Sequence, residues 1–507
     1  MKMKLHSYYA KLKISSVNKI IATIWQILEE SIRVAAGLRR AGVRRGAVVA
    51  LCSENRDEFL PAAVGALCCG ATLTTANLQY TKDEMIHVLN ISKPNILFAS
   101  EDALKANLKT FKSLPFIKKI IQFGGTPVQR GVIKFSDIAV DTSVDEYEPD
   151  DVKGYTDPGF ILYSSGTTGL PKGVMLTHLN LYGASKADKN ERHVFQTLVP
   201  WYHAYGLMST LFYLIVGGEL VYFSAFDPLA YLKAIQDYQV TSLLAVPPLV
   251  VFLAKIPFLD EFDMSSVTSI WCGAAPLSSE TIEQAMKRLP NCKGIYQAYG
   301  MTETSLAATK DSDEEGVKPK PGSGGYPLRG VKVVDIESRK KLGPNQQGEI
   351  CLKGPIIMKG YCGDKAATRD IFDPEGYLKT GDIGYYDEEG CFFVVDRLKE
   401  LIKYKGHQVP PAALEALLLQ HPAVAECGVV GAPDEAAGEL PTAFVVLKPD
   451  VTATEKEIQE FANSRLSPEK RLHGGVIFID EIPKIPSGKI LRRVLKQKLQ
   501  KRKRSKL

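Results

Sequence analysis

Residues Tyr163–His178 read YSSGTTGLPKGVMLTH. The run PGFILY just before them is rich in strand formers, and serine, threonine and glycine then take over, so a strand is expected to end in a turn at Ser164. Gly166 and Gly169 let the backbone approach an anion, while Ser164, Ser165, Thr167, Thr168 and Lys172 supply hydroxyl and ammonium donors. A Walker A loop needs G-x-x-x-x-G-K-[ST]. Here Pro171 occupies the second glycine's place and Lys172 is followed by Gly173, so that loop is excluded. Taken alone, the stretch is either a phosphate-holding loop of another kind or a hydroxyl-rich surface loop.

The same texture extends in both directions. GAVVALCSEN from Gly46, DEFLPAAVGALCCG from Asp57, PNILFAS from Pro94 and KKIIQFGG from Lys118 alternate strand and helix patterns of the doubly wound kind. A second series, LVPWYH from Leu198, ELVYFSA from Glu219, VTSLLAVPP from Val240 and SIWCGAAP from Ser269, reads as strands ending in loops of small or polar residues, where ligands of parallel sheets sit. After Gly330 short strands divided by turns (GVKVVDIE, GEICLKG, GYYDEEGCFFVVD) indicate a small β-rich unit, and an α+β segment follows from about Glu400. The expected fold class is α/β. It comprises two doubly wound series, a small β-rich unit and a compact α+β C-terminal segment.

Composition excludes several functions. A chain of 507 residues, 45% hydrophobic, can bury several cores. Its net charge of +6 is partly concentrated in the tail KQKLQKRKRSKL, so nucleic acid is not an expected partner. Nine cysteines without a C-x-x-C pair fit neither a disulfide framework nor a zinc knuckle, and read as thiols of a reducing compartment. The most apolar run, LFYLIVGGELVYF, is broken by Gly217, Gly218 and Glu219, short of the ~20 apolar residues of a transmembrane helix. IIATIWQIL near the N-terminus has no cleavage site after it and reads as the start of an amphipathic helix. Ser505, Lys506 and Leu507 form a receptor-read peroxisomal address, which makes the import receptor an expected partner.

YSSGTTGLPKG resembles the signature loop of the adenylate-forming superfamily of acyl-CoA synthetases, 4-coumarate:CoA ligases and beetle luciferases. YQAYGMTET from Tyr296, YLKTGDIGYYDEEG from Tyr377, VDRLKELIKYKG from Val395 and PKIPSGK from Pro483 agree in the family's order. The resemblance runs from about Glu30 to Leu507 and is nearest the branch that joins luciferases to 4-coumarate-like ligases. The first 25 or so residues match no recognised segment.

The resemblance implies ATP, CoA and Mg2+ as cofactors and a carboxylic acid as substrate. It assigns residues 1–396 to a large adenylation domain of two doubly wound subdomains plus a small distorted β-barrel, the β-rich subdomain at about 330–396, then 397–399 to a hinge and 400–504 to a small mobile α+β C-terminal domain. Ser164, Ser165, Gly166, Thr167, Thr168, Gly169 and Lys172 would hold the phosphates, and Glu303 with Thr167 or Thr168 would meet the metal. Gln297, Ala298, Tyr299, Gly300 and Thr302 would help to bind the ATP or AMP. Of these, Tyr299 would stack on the adenine, and Ala298 and Gly300 would allow close backbone approach. Asp382 would accept from the ribose hydroxyls beside Arg397. Lys489 would stabilise the adenylation transition state, Lys399 would be the hinge, and Lys403 and Gly406 would face CoA. His203 would gate or position the carboxylate in an apolar pocket shaped by Trp201, Tyr205, Trp271, Gly273, Ala274, Met301 and Leu306.

Plainer readings exist for single residues. Glu303 suits a helix start, Asp382 a turn, Lys489 and the lysines of RLKELIKYK solvated surface, and His203 a packed core site. Luciferase chemistry is the enzymatic alternative. Beetle luciferases carry an arginine and a serine at the positions of Ala184 and Leu306, and both departures remove polar contacts to the luciferin. A non-catalytic nucleotide- or acyl-binding homologue is the third reading.

Overall fold

The computed structural model describes residues 13–504 apart from 17–20, 126–128, 165–170, 183–192, 276, 315–316, 318, 321, 406, 450 and 485–487. The expected calls at Ser165, Gly166, Thr167, Thr168, Gly169, Gly406, Ser505, Lys506 and Leu507 therefore lie outside the described residues. The chain forms two compact units. The first takes residues through Pro321 with Leu328–Gly330 and Lys353–Leu378. The second takes Gly322–Pro327, Val331–Leu352 and Lys379 onward.

In the first unit an 8-stranded sheet has at its centre the parallel strands Pro158–Ser164, Thr72–Thr75, Val48–Cys52, Ile96–Ala99 and Lys119–Gln122. Val48–Cys52 is buried on both faces: Val49 and Leu51 join one core cluster, Ala50 and Cys52 another. That is why its sequence is a continuous apolar run. A second sheet carries Gly294–Tyr299, Ser269–Cys272, Ser242–Ala245, Val194–Thr197 and Glu219–Tyr222, again parallel. Its alternation is equally clear, since Leu243, Ile270 and Cys272 face one cluster while Leu244 and Trp271 face the other. The cluster shared by both sheets includes residues of the helices Ile24–Arg40, Phe59–Cys68 and Ala204–Val216. Helices therefore lie between the sheets, and Lys82–Ser92 and Glu101–Ser113 cover the outer face of the first. The start of Lys82–Ser92 is set by sequence: Thr81 Oγ1 accepts from Glu84 N at 3.3 Å and Glu84 Oε2 accepts from Thr81 N at 2.9 Å.

Two elements differ from expectation. LVPWYH is not a strand: the strand is Val194–Thr197, and Leu198–His203 is the turn into the helix Ala204–Val216. Pro200 has no N–H for a ladder, and its carbonyl lies 2.2 Å from where a Cβ on Gly206 would be, so the turn packs on the helix start. Near the N-terminus, Ile21–Thr23 is a strand antiparallel to Lys13–Ser16, and the amphipathic helix begins only at Ile24.

In the second unit, Gly330–Val334, Gly348–Lys353, Leu378–Tyr386 and Phe392–Arg397 form a 4-stranded sheet, the small β-rich part of the expected fold. Ile402–Tyr404, His407–Val409, Val424–Asp434, Gly438–Leu447 and Val476–Phe478 form another, backed by the helices Pro411–Leu418 and Glu455–Asn463. Residues 397–399 lie within this unit. The whole is a mixed α/β architecture, and among its described residues no helix is long and apolar enough to cross a membrane.

Candidate active site

The opening stretch forms an antiparallel pair, Pro158–Ser164 against Lys172–Thr177, with Ser164 opposite Lys172. The glycine-rich segment is thus the connection between two paired strands, and its two closing residues are both phosphate candidates. Ser164 Oγ donates to Glu303 Oε1 at 2.9 Å. Glu303 lies in the single turn Thr302–Thr304, too short for a macrodipole, so the helix-start explanation falls away. It is only 4% exposed, and a carboxyl group so buried requires hydrogen-bond partners. The second partner was not anticipated from the sequence: Tyr361 donates its hydroxyl to the same Oε1 at 2.9 Å. Burial and the Glu303 charge push the Tyr361 hydroxyl well above its ordinary value, which keeps its proton in place as a donor. The Lys172 ammonium lies 4.7 Å from the centre of the same ring.

These oxygens suit a hard divalent cation. Mg2+ takes one or two carboxylates and completes its shell with water and substrate phosphate. Both hydroxyls engage Glu303 Oε1, so neither commits Oε2. Among the described residues no cluster of three or more His, Cys, Asp or Glu is present.

After Tyr299 the chain turns sharply. Ser305 has φ 66 and ψ −60, and Leu306 N donates to Thr304 O at 2.7 Å, the geometry of the strained γ-turn. Ser305 Oγ donates to Ile356 O at 2.7 Å and pins it. A Cβ on Gly300 would stand 1.9 Å from Leu306 O, so this glycine makes room for the chain's own return. Gln297 is engaged as well, its Oε1 accepting from Leu277 N at 3.2 Å. Ala298 and Tyr299 end the strand Gly294–Tyr299, and Thr302 is half-buried beside Glu303.

Tyr205, Trp271, Met301 and Leu306 all border the core cluster that contains the fully buried Trp201, so the structure brings the expected pocket residues to one region. The Tyr205 hydroxyl lies 3.2 Å from the Ala245 and Trp271 carbonyls, and its ring is within 3.4 Å of the Cβ position of Gly273. Ala274 adopts φ 74, a strained value for a residue with a side chain. Trp271 stacks on Tyr296 at 5.0 Å and carries the Lys310 ammonium at 4.9 Å, a cation that the sequence reading did not include. His203 immediately precedes the helix Ala204–Val216; burial lowers its pKa, so the imidazole is neutral at neutral pH.

The second unit gathers the remaining charged candidates. Asp382 lies opposite Arg397 in paired strands, is 2% exposed, and accepts from Arg397 Nε at 3.0 Å. It is a strand residue, so the turn explanation does not hold. Lys484 pairs with Ile490, and Gly488 with φ 84 precedes Lys489. Burial and then the Arg397 guanidinium push the Lys489 ammonium below its ordinary value, while Glu400 and Asp382 pull it the other way. Lys489, Asp382 and Arg397 are thus within electrostatic reach of one another. Lys399 lies in the turn after Arg397, where Glu400 N and Leu401 N both donate to Arg397 O. Lys403 is exposed on Ile402–Tyr404.

In the first unit the buried Glu303 meets Ser164 and Tyr361, and in the second Asp382 pairs with Arg397 within electrostatic reach of the half-buried Lys489. The chain belongs to the AMP-binding enzyme family: residues 19–362 match its model, and 413–489 match that of the AMP-binding enzyme C-terminal domain. It is 41% identical to a luciferin 4-monooxygenase of Nipponoluciola cruciata, over 94% of this chain and 89% of the relative. It is 40% identical to 4-coumarate–CoA ligase 2 of Nicotiana tabacum, over 96% of this chain and 91% of the relative. The structure of ATP-bound MatB from Rhodopseudomonas palustris superposes with a TM-score of 0.86 at 27% identity, covering 96% of this chain and 95% of the other.

Proposed function

We propose that the protein is an ATP-dependent acid:CoA ligase acting on an apolar fatty or aryl-propenoic carboxylic acid. The observation that carries this reading is the buried Glu303 carboxylate, fixed by Ser164 at the mouth of the phosphate connection. In the first half-reaction a substrate carboxylate oxygen bonds to the α-phosphorus of ATP and the bond to pyrophosphate breaks. Ser164 and Lys172 hold phosphate oxygens, Asp382 accepts from the ribose hydroxyls, and Lys489 offsets the charge that grows as pyrophosphate leaves. Bound Mg2+, held by Glu303 with Thr167 or Thr168, would neutralise phosphate charge. In the second half-reaction the CoA sulfur bonds to the acyl carbon, AMP departs, and the thiol proton goes to water. Lys399 serves as the hinge for the exchange of faces, with residues 400–504 carrying Lys403 and Gly406 toward CoA. His203, neutral at working pH, positions the acid without acting as its base, because the substrate arrives ionised.

The luciferin 4-monooxygenase relative favours a second reading, oxidation of a luciferyl-adenylate. Leu306, an apolar side chain bordering the core, ranks it below the ligase. Ser505, Lys506 and Leu507 support a peroxisomal location. ATP–pyrophosphate exchange across fatty, cinnamic and luciferin acids tests the adenylation step, and exchange that no acid stimulates would end the proposal. Trp271→Ala should broaden the range of acids accepted; an unchanged profile would remove Trp271 from the pocket.

A further inference from the structure

Glu303 receives two hydroxyl donors on one oxygen, from Ser164 at 2.9 Å and Tyr361 at 2.9 Å. A carboxylate is free to turn about its terminal bond unless both the acid and its partners are fixed. Here the partners are fixed. Tyr361 belongs to the strand Gly360–Tyr361, antiparallel to Lys172–Thr177 with Tyr361 opposite Val174. Its backbone N–H donates to Thr368 Oγ1 at 2.9 Å, and Met358 N donates to Glu303 O at 2.9 Å, so both chains are anchored beside the contact. The face of the same ring carries Lys172 at 4.7 Å. One side chain thus touches the acid with its hydroxyl and the lysine closing the phosphate connection with its ring.

We infer that Tyr361 is a positioning residue that locks Glu303 through Oε1 so that Oε2 is presented to a divalent cation, while its ring sets the direction of Lys172 toward phosphate. This rests on the reading of Glu303 as the metal carboxylate. The hydroxyl and the ring have separable jobs. Loss of the hydroxyl leaves Oε1 with the Ser164 donor of the two, loosens the acid's orientation and affects only metal-dependent nucleotide binding. Loss of the ring also releases Lys172 and affects nucleotide binding whether or not metal is present.

The test is calorimetric titration of ATP into the full-length protein, over a series of Mg2+ concentrations and in EDTA, with thermal unfolding measured alongside. Tyr361→Phe should raise the Mg2+ concentration for half-maximal ATP binding by roughly tenfold, the scale of one charge-assisted hydrogen bond, and leave binding in EDTA unchanged. Tyr361→Leu should weaken binding in EDTA as well. Equal losses with and without Mg2+ in Tyr361→Phe, or a wild-type Mg2+ dependence, would overturn the proposal. Glu303→Gln separates the two levels of argument. If it too leaves Mg2+ dependence at the wild-type value, the metal reading of Glu303 fails and the role of Tyr361 falls with it. If Glu303→Gln shifts and Tyr361→Phe does not, only the positioning role is refuted.

Discussion

Substituting Gly300→Ala puts a single methyl group where the fold leaves no space for one. The new Cβ would meet Leu306 O at 1.9 Å, and both Leu306 C and Ala307 Cα at 3.0 Å, all backbone atoms. To restore even a 3.0 Å separation, the Leu306 carbonyl must retreat by 3.0 − 1.9 = 1.1 Å. It cannot do so alone. Ser305 is already in the strained γ-turn, its hydroxyl is tied to Ile356 O at 2.7 Å, and Ala308 N is tied to Tyr299 O at 2.8 Å. Overpacking of this kind costs about 1–3 kcal/mol, and a broken hydrogen bond adds roughly 1 kcal/mol. For a large unit the midpoint of thermal unfolding should fall by roughly 3–10 °C. Because Tyr299, Met301 and Glu303 flank the same turn, ATP affinity should fall with it. Differential scanning calorimetry and ATP titration measure the two effects. A variant that unfolds at the wild-type midpoint but binds ATP poorly would refute the packing argument, because the missing side chain would then serve only the ligand.

Other outcomes follow from the second unit. Lys489→Ala should slow adenylate formation by about 10²–10³-fold, the scale of losing one preorganised charge at a transition state, while thioester formation from supplied acyl-adenylate stays near wild type. Separate assays of the two half-reactions check this. Glu415 and Arg492 form a buried pair with contacts at 2.9 and 2.8 Å, and Arg492 Nη1 also lies 3.4 Å from Glu400. Glu415→Ala should cost about 3–5 kcal/mol in urea unfolding, because it leaves a buried guanidinium short of its closest partner. Burial raises the Glu415 pKa from 4.5 to about 7 in spite of Arg492. The folded state therefore holds this proton more tightly than the unfolded state, and Glu415's contribution to stability falls as pH rises from about 4.5 to about 7. Glu415→Gln should flatten the pH dependence of unfolding in that window; an unchanged slope would contradict the assignment.

The strands of both parallel sheets were legible because burial on two faces leaves continuous apolar runs, as in VVALC and SLLA. LVPWYH misled for a physical reason: it has strand composition, but Pro200 cannot join a ladder, and its carbonyl packs against Gly206 instead. Ser164, Glu303, Asp382, Arg397 and Lys489 were singled out through the motifs that contain them, and the structure pairs Ser164 with Glu303 and Asp382 with Arg397. Tyr361 was not, because its role depends on the pairing of Gly360–Tyr361 with Lys172–Thr177, nearly two hundred residues earlier in the chain. Lys310 was missed similarly. Only the antiparallel pairing of Ala298 with Lys310, together with the parallel pairing of Trp271 with Tyr296, carries its ammonium over the Trp271 ring. The residue type of Gly300 was noted from its motif, but the sequence could not reveal that the atom filling its space belongs to Leu306.

The central claim is that this fold transfers an acyl group from an adenylate to CoA. The most direct measurement supplies ATP, Mg2+ and CoA with short, medium and long fatty acids, cinnamic acids and luciferin, and quantifies AMP and acyl-CoA together. The ligase reading predicts equal amounts of AMP and thioester, dependent on CoA, with one class of apolar acid. AMP formed without thioester, light from luciferin in its place, or no turnover by folded protein that binds ATP would contradict it.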